Sequence, residues 1–109
     1  MSETSSGTLS ETLSETSATP TILIDNDQCR LTLWSFEPGQ ETGWHTHEMD
    51  YVVMPKSPGK VRLQHPDGSE TTAEMSPDAP YFRPAGVNHN VINASDAPFS
   101  FLEMEFKPS

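Results

Sequence analysis

Residues 39–55 read GQETGWHTHEMDYVVMP, and this stretch carries the first information on both fold and chemistry. Its second half is apolar and β-branched, which is typical of a strand. Its first half places His45 and His47 two positions apart in an extended segment. Because residues i and i+2 of a strand project from the same face, the two imidazoles are predicted to point at one spot.

Further groups could complete a metal site around this pair. A barrel could bring His89 back across from it, and a carboxylate lies just beyond the pair, at Glu48 or Asp50. Asp50 needs a bend to reach the same spot, because its offset from His47 is odd. Three histidines and one carboxylate form a mixed N/O donor set that suits Fe, Zn, Ni or Mn rather than Ca or Mg. The fourth histidine, His65, precedes a turn and is expected to have no role.

Proline and glycine punctuate the chain, and ten prolines leave little room for helices. Between the turns lie short apolar or alternating segments, and Pro-Asp-Gly at residues 66–68 is a strong hairpin signal. This pattern predicts an all-β sandwich or barrel. The predicted strands are residues 21–25, 29–36, 42–47, 50–54, 60–65, 69–75, 81–83, 90–93 and 99–106.

Residues 1–20 have a different composition from the rest of the chain. Eleven of these twenty residues are Ser or Thr, and none is aromatic, Lys or Arg. Such a segment buries too little apolar surface to offset the entropy of ordering, so it is predicted to be a disordered tail. Alternatively, it is an arm that docks on a partner subunit. It resembles neither a secretory signal nor a transit peptide. The folded domain is predicted to span residues 21–109.

The charge and cysteine content exclude several classes of function. Sixteen acidic and six basic side chains give a formal net charge of −10, which argues against binding to nucleic acid or to anionic membranes. No apolar run approaches the ~20 residues of a membrane span. The single cysteine, Cys29, excludes an intrachain disulfide and fits a reducing compartment, so a cytoplasmic protein is expected.

Two motifs in the chain resemble those of the cupin superfamily. The second cupin motif is G-x5-P-x-G-x2-H-x3-N, and residues 84–93, PAGVNHNVIN, match its Pro, Gly, His and Asn, while Asp78 replaces its leading Gly. The first motif is G-x5-H-x-H-x3/4-E-x6-G, and residues 39–47 supply its first Gly and both histidines. Its Glu is missing, with Asp50 as the nearest substitute, and its closing Gly is displaced to Gly59.

The resemblance covers about residues 22–106 and implies a fold, a metal and an assembly. The fold is a double-stranded β-helix, or jelly-roll barrel, with a divalent metal held by His45, His47, His89 and one carboxylate, expected to be Asp50. Residues 43–55 are similar to a cupin subgroup named for β-alanine degradation. Small barrels of this kind commonly pair through an edge strand, so a homodimer is expected.

Two functions remain open at this point. The first is a metal-dependent enzyme that acts on a small organic acid or similar metabolite by dioxygenase, lyase or isomerase chemistry. Tyr51 or Glu48 could serve beside the metal as a proton donor or general base, and Arg83 could anchor an anionic substrate. Tyr51 could instead only pack in its strand, and Arg83 could form a surface ion pair. The second function is a non-catalytic small-molecule-binding module in which the metal fixes a ligand or staples the barrel.

Overall fold

The computed structural model describes residues 16–108, which form an all-β domain, as predicted. No helix within this part of the chain has the length and hydropathy that crossing a bilayer requires. The strands are β1 (Thr19–Asp25), β2 (Cys29–Phe36), β3 (His45–Thr46), β4 (Asp50–Pro55), β5 (Gly59–Gln64), β6 (Glu70–Met75), β7 (Tyr81–Arg83), β8 (Asn88–Asn93) and β9 (Phe99–Phe106).

The strands form the two facing sheets of a jelly-roll barrel. One sheet has five strands in the order β1-β2-β9-β4-β7, and the other has four in the order β3-β8-β5-β6. Every strand pair is antiparallel. The predicted jelly-roll fold is confirmed.

The folded domain begins earlier in the chain than the sequence predicts. Thr19 and Pro20, assigned above to the disordered tail, belong to β1. Ala18 is buried, and its backbone N–H donates to the carbonyl of Glu41 at 2.8 Å. Backbone hydrogen bonds attach this segment, and a composition argument that counts side chains does not detect them. The rest of the predicted tail, residues 1–15, lies outside the described residues.

Strand β3 is much shorter than the predicted strand over residues 42–47. It covers only His45 and Thr46, because Gly43 adopts a φ of 86° and turns the chain just before it. This left-handed conformation is open to glycine at little cost. The turn interrupts a pairing with β8 that the chain also makes before it, where Glu41 lies opposite Ile92 and the Thr42 N–H donates to the Val91 carbonyl at 2.9 Å.

The inner face of the five-stranded sheet changes from apolar to polar along β2 and β9. Phe36 lies opposite Phe99 at one end, and Thr32 lies opposite Glu103 further along. Phe36, Phe99 and Phe101 pack their rings with centroids 5.5–6.2 Å apart and close the apolar end of the barrel. On the inner face of these two strands, the buried polar side chains therefore lie towards the other end.

Gly59 begins β5 directly against the aromatic cluster. A Cβ at this position would overlap the ring of Phe99. The displaced glycine of the first motif therefore has a packing role, because it lets β5 approach the cluster closely.

We expect Gly59→Ala to lower the free energy of unfolding by about 1–3 kcal/mol, the usual cost of overpacking a core. Denaturant unfolding measures this change. In a Phe99→Leu background, Gly59→Ala should lower the free energy of unfolding clearly less, because the ring that the new methyl group would overlap is absent. An equal loss in both backgrounds would show that the overlap is not the cause.

Candidate metal centre

Three histidines meet inside the polar end of the barrel. His45 lies directly opposite His89 in the β3–β8 pair, so the two side chains share a face. His47 follows β3, and its backbone exchanges two 2.8 Å hydrogen bonds with the second-motif turn, one to the Val87 carbonyl and one from the Gly86 N–H. The turn thus fixes His47 beside the other two.

The Nε2 atoms of the three rings converge. The Nε2 atoms of His45 and His47 are 3.0 Å apart, and those of His47 and His89 are 3.3 Å apart. Two nitrogen ligands that share an ion at about 2.0–2.1 Å, at angles between octahedral and tetrahedral, lie roughly 2.9–3.4 Å from each other. Both separations therefore fit a shared transition-metal ion, and the ligand nitrogens of all three histidines lie within 4.8 Å of one another.

Contacts at the other ring nitrogens orient two of the histidines. Nδ1 of His45 is 2.9 Å from the carbonyl of Gly43, so it carries the proton and leaves the Nε2 lone pair facing the cluster. The Gly43 N–H in turn donates to Oδ1 of Asn90, a buried side chain, at 2.9 Å. On His47, Nδ1 lies 3.4 Å from Oε2 of Glu103. A carboxylate or carbonyl on the outer nitrogen is the usual support of a metal-binding imidazole.

Burial keeps His47 and His89 in the neutral form that metal binding requires. Desolvation, followed by the neighbouring imidazole of His45, lowers the pKa of His47 to about 4. The same two causes, in the same order, lower the pKa of His89 to about 3. Both imidazoles are therefore unprotonated at neutral pH.

Comparison with known families agrees with this geometry. The cupin domain family matches residues 32–105. This chain belongs to the cupin family.

Named relatives of this cupin cover most of its length. Beta-alanine degradation protein BauB from Pseudomonas aeruginosa is 47% identical over 90 residues, which are 83% of this chain and 94% of the relative. A cupin domain from Bordetella pertussis Tohama I, known from a crystal structure, is 49% identical with a TM-score of 0.80. The alignment covers 84% of this chain and 95% of that one. A double-stranded β-helix protein from Klebsiella pneumoniae (17% identity, TM-score 0.67, 85% and 86% of the two chains) is similar in fold alone.

The two carboxylates considered as ligands from the sequence lie away from the histidines. Asp50 is exposed, and its Oδ1 accepts a 2.8 Å hydrogen bond from the backbone N–H of Ala85. Glu48 is exposed and does not line the cavity at the histidines. Within residues 16–108, no carboxylate joins the three-histidine cluster of this cupin.

The alternation of β4 explains the position of Asp50. Tyr51 points into the barrel, where its ring stacks on His47 with centroids 3.8 Å apart. Its neighbour Asp50 must then point outwards, where it lies opposite Phe106. The structure does not supply the bend that would bring Asp50 to the cluster, and Asp50 holds the second-motif turn instead.

Glu103 is the residue at the candidate site that the sequence reasoning missed. It is buried, and its Oε1 accepts a 2.9 Å hydrogen bond from Nε1 of Trp34, while its other oxygen faces His47. Burial raises the pKa of Glu103 to about 7, although the Trp34 N–H opposes the shift. A signal was present, because Phe99, Phe101 and Glu103 alternate along one strand and the third member is a carboxylate at an inward position.

A cavity of about 60 Å³ lies over the cluster. Its lining includes Tyr51 and Arg83, which lie directly opposite each other in the β4–β7 pair and therefore share the inward face. The Arg83 guanidinium lies 5.5 Å from the centre of the Tyr81 ring. Burial raises the pKa of the Tyr51 phenol well above its usual range, so Tyr51 stays protonated and can donate a hydrogen bond. His65 also lines the cavity, with Nε2 2.9 Å from Oγ1 of Thr71.

We expect Glu103→Gln to weaken metal binding by roughly 10–100-fold, the usual effect of removing an outer carboxylate from a metal-binding histidine. Asp50→Asn, the matched control, should leave the affinity nearly unchanged, because Asp50 lies outside the cluster. Competition with a chromophoric chelator for Zn²⁺ or Co²⁺ measures both affinities. The reverse pattern, with Asp50→Asn harmful and Glu103→Gln neutral, would show that Asp50 is the ligand.

Proposed function

We propose that this cupin binds one divalent transition metal through His45, His47 and His89 and is a metal-dependent enzyme acting on a small organic acid or similar metabolite. The observation that carries the proposal is the convergence of three histidine Nε2 atoms, from buried His47 and half-buried His45 and His89, at a cavity that also presents the guanidinium of Arg83.

The donor set supports a transition metal such as Fe, Zn, Ni or Mn, because imidazole nitrogens suit these ions better than Ca or Mg. Three protein ligands also leave coordination positions open for water or substrate. A metal in this site would supply Lewis-acid polarisation of a bound carbonyl or carboxylate and would lower the pKa of a bound water.

The cavity supports a small anionic substrate. Arg83 makes no ion pair with a carboxylate of residues 16–108, so its guanidinium is available to bind one from a ligand. A cavity of about 60 Å³ admits only a few non-hydrogen atoms. The name of the Pseudomonas aeruginosa relative, Beta-alanine degradation protein, supports a substrate from that metabolism. The free thiol of Cys29 supports a cytoplasmic location.

The chemistry of the reaction divides into three types. Dioxygenation requires Fe(II) with open coordination positions, whereas lyase or isomerase chemistry requires a general base near the metal. Tyr51 touches His47 and is proposed as the proton donor of the cavity, because its phenol stays protonated. Glu48 would have to act from outside the cavity.

A non-catalytic binding module is the second candidate. This candidate is favoured because neither expected base is available in the cavity. Tyr51 stays protonated, and Glu48 does not line the cavity. In that case the metal would hold a small ligand without turnover, or would only cross-link β3 and β8 through His45 and His89.

Elemental analysis of the untagged protein tests the metal site. We expect about one transition-metal ion per chain in the wild type and none in the His45→Ala/His89→Ala variant. The matched control is His65→Ala, because His65 lines the same cavity but is not in the cluster. Failure of the wild type to take up metal after anaerobic loading would exclude both candidate functions.

The role of Arg83 separates catalysis from binding. We expect the Fe(II)-loaded protein to turn over at least one acid from a panel of small carboxylic and amino acids. O₂ uptake or product analysis measures this turnover. Arg83→Ala should raise KM about 10-fold or more, because a charged hydrogen bond to the substrate is lost. The control is Arg62→Ala, on the outer side of the other sheet. Binding of an acid without turnover under every metal tested would favour the binding module.

A further inference from the structure

Asn90, on β8, is a buried side chain that the proposed function does not use. It directly follows His89, and neighbouring side chains of a strand point to opposite faces, so Asn90 lies on the outer side of the four-stranded sheet. It is nevertheless only 1% exposed. The second motif does not define this position, because its histidine and asparagine are His89 and Asn93. A buried amide needs hydrogen-bond partners, and those of Asn90 show what it holds.

Three hydrogen bonds satisfy the Asn90 amide. Its Nδ2 donates to Oε1 of Glu41 at 2.5 Å and to Oε1 of Gln64 at 2.9 Å. Its Oδ1 accepts from the backbone N–H of Gly43 at 2.9 Å. Gln64 is the register partner of Asn90 on β5, whereas Glu41 and Gly43 lie in the segment that leads into β3. Asn90 therefore ties that segment to the two central strands of the sheet.

The amide of Asn90 has only one orientation that fits these contacts. The N–H of Gly43 only donates and the carboxylate of Glu41 only accepts, so Oδ1 faces Gly43 and Nδ2 faces Glu41. Gln64 requires the same arrangement. Its own Nε2 donates to Oε2 of Glu70 at 2.9 Å, which leaves its Oε1 to accept from Asn90. The acceptor that Asn90 presents to Gly43 is thus fixed by its contacts on the other side.

The same succession of donors and acceptors continues from Gly43 to His45. The Gly43 carbonyl lies 2.9 Å from Nδ1 of His45 and also accepts the hydroxyl of Thr42 at 2.9 Å. Because a carbonyl only accepts, Nδ1 carries the proton and Nε2 keeps its lone pair. Each link donates in the same direction, away from His45 and towards β5.

Gly43 is the link that needs to be held. Its φ of 86° is left-handed, and glycine has the widest choice of backbone conformations. On either side of it, Thr42 and His45 pair with β8. The Gly43 N–H donates to the Asn90 side chain, which takes the place of a backbone hydrogen bond at the turn. Without Asn90, the backbone at Gly43 would be free to rotate and to carry its carbonyl away from Nδ1 of His45.

We propose that Asn90 is a positioning residue for His45. It holds the Gly43 backbone, whose carbonyl keeps the proton of His45 on Nδ1 and thereby directs the Nε2 lone pair at the other two histidines. The role rests on the proposed function, in which that lone pair binds the metal. The tautomer is a property of the metal-free chain as well, so it is measured without any ion.

NMR of the metal-free protein tests this role through the tautomer of His45. In two-bond ¹H–¹⁵N correlation spectra at mildly alkaline pH, we expect the ring proton of wild-type His45 on Nδ1 alone. Asn90→Ala should give a mixture of both tautomers, because the Gly43 carbonyl is no longer held. The same variant should bind Zn²⁺ roughly 10-fold more weakly in competition with a chromophoric chelator, as expected for the loss of an outer partner.

Asn93→Ala is the matched control. Asn93 lies on the same strand and is equally buried, but its Nδ2 donates to the Ala97 carbonyl at 3.0 Å. This variant should lose stability, as Asn90→Ala does, yet keep the His45 tautomer and the Zn²⁺ affinity of the wild type. A tautomer mixture in both variants would overturn the proposal, because loss of stability alone would then explain it.

A second pair of variants covers the case in which Asn90→Ala does not fold. Glu41→Met removes the nearer acceptor of the Asn90 amide and should shift the tautomer in the same direction, whereas Glu41→Gln keeps a carbonyl acceptor and should behave as the wild type. The proposal is overturned if wild-type His45 carries its proton on Nε2, or if neither Asn90→Ala nor Glu41→Met, whichever folds, changes the tautomer. A wild type with the Nδ1 tautomer that takes up no metal would contradict the proposed function and leave the hold of Asn90 on His45 in place.

Discussion

The pairing of β3 with β8 is the constraint on which the candidate site depends. This short pair sets His45 directly opposite His89, and the backbone bonds between His47 and the second-motif turn add the third imidazole. Ring nitrogens held 3.0 and 3.3 Å apart without an ion would be costly, because their lone pairs lose solvation. The proposed cation would remove that cost, and it would account for the convergence of the rings and for the contacts at Nδ1 of His45 and His47.

The five-stranded sheet uses its two faces for different purposes. The inner face of β9 carries Phe99 and Phe101 towards the closed end and Glu103 towards the histidines, so one strand contributes both to the core and to the support of His47. Its outer face carries Leu102 and Met104, which are half-buried in the single chain.

Local patterns predicted much of this fold from the sequence. Alternation and turn residues placed β2, β7 and β9 with the bounds that the structure has. The His-x-His spacing predicted that His45 and His47 converge, since side-chain direction in a strand depends only on parity. Thr19 and Pro20 join the sheet through backbone hydrogen bonds to a distant segment, and β3 is short because Gly43 adopts a positive φ. Neither property is visible in composition or periodicity. Asp50 was expected as the nearest substitute for the missing motif Glu, which required a bend that β4 does not make. Glu103 faces His47 only through the register that brings β9 beside β2.

X-ray absorption spectroscopy of the Zn²⁺- or Co²⁺-loaded protein tests the central claim most directly, because it counts the imidazoles bound to the ion. The account predicts three imidazole ligands at about 2.0–2.1 Å for zinc, with the remaining positions filled by oxygen. It also predicts that this count is the same in the Asp50→Asn variant. A spectrum with one imidazole or none, or one in which an oxygen ligand disappears in Asp50→Asn, would contradict it.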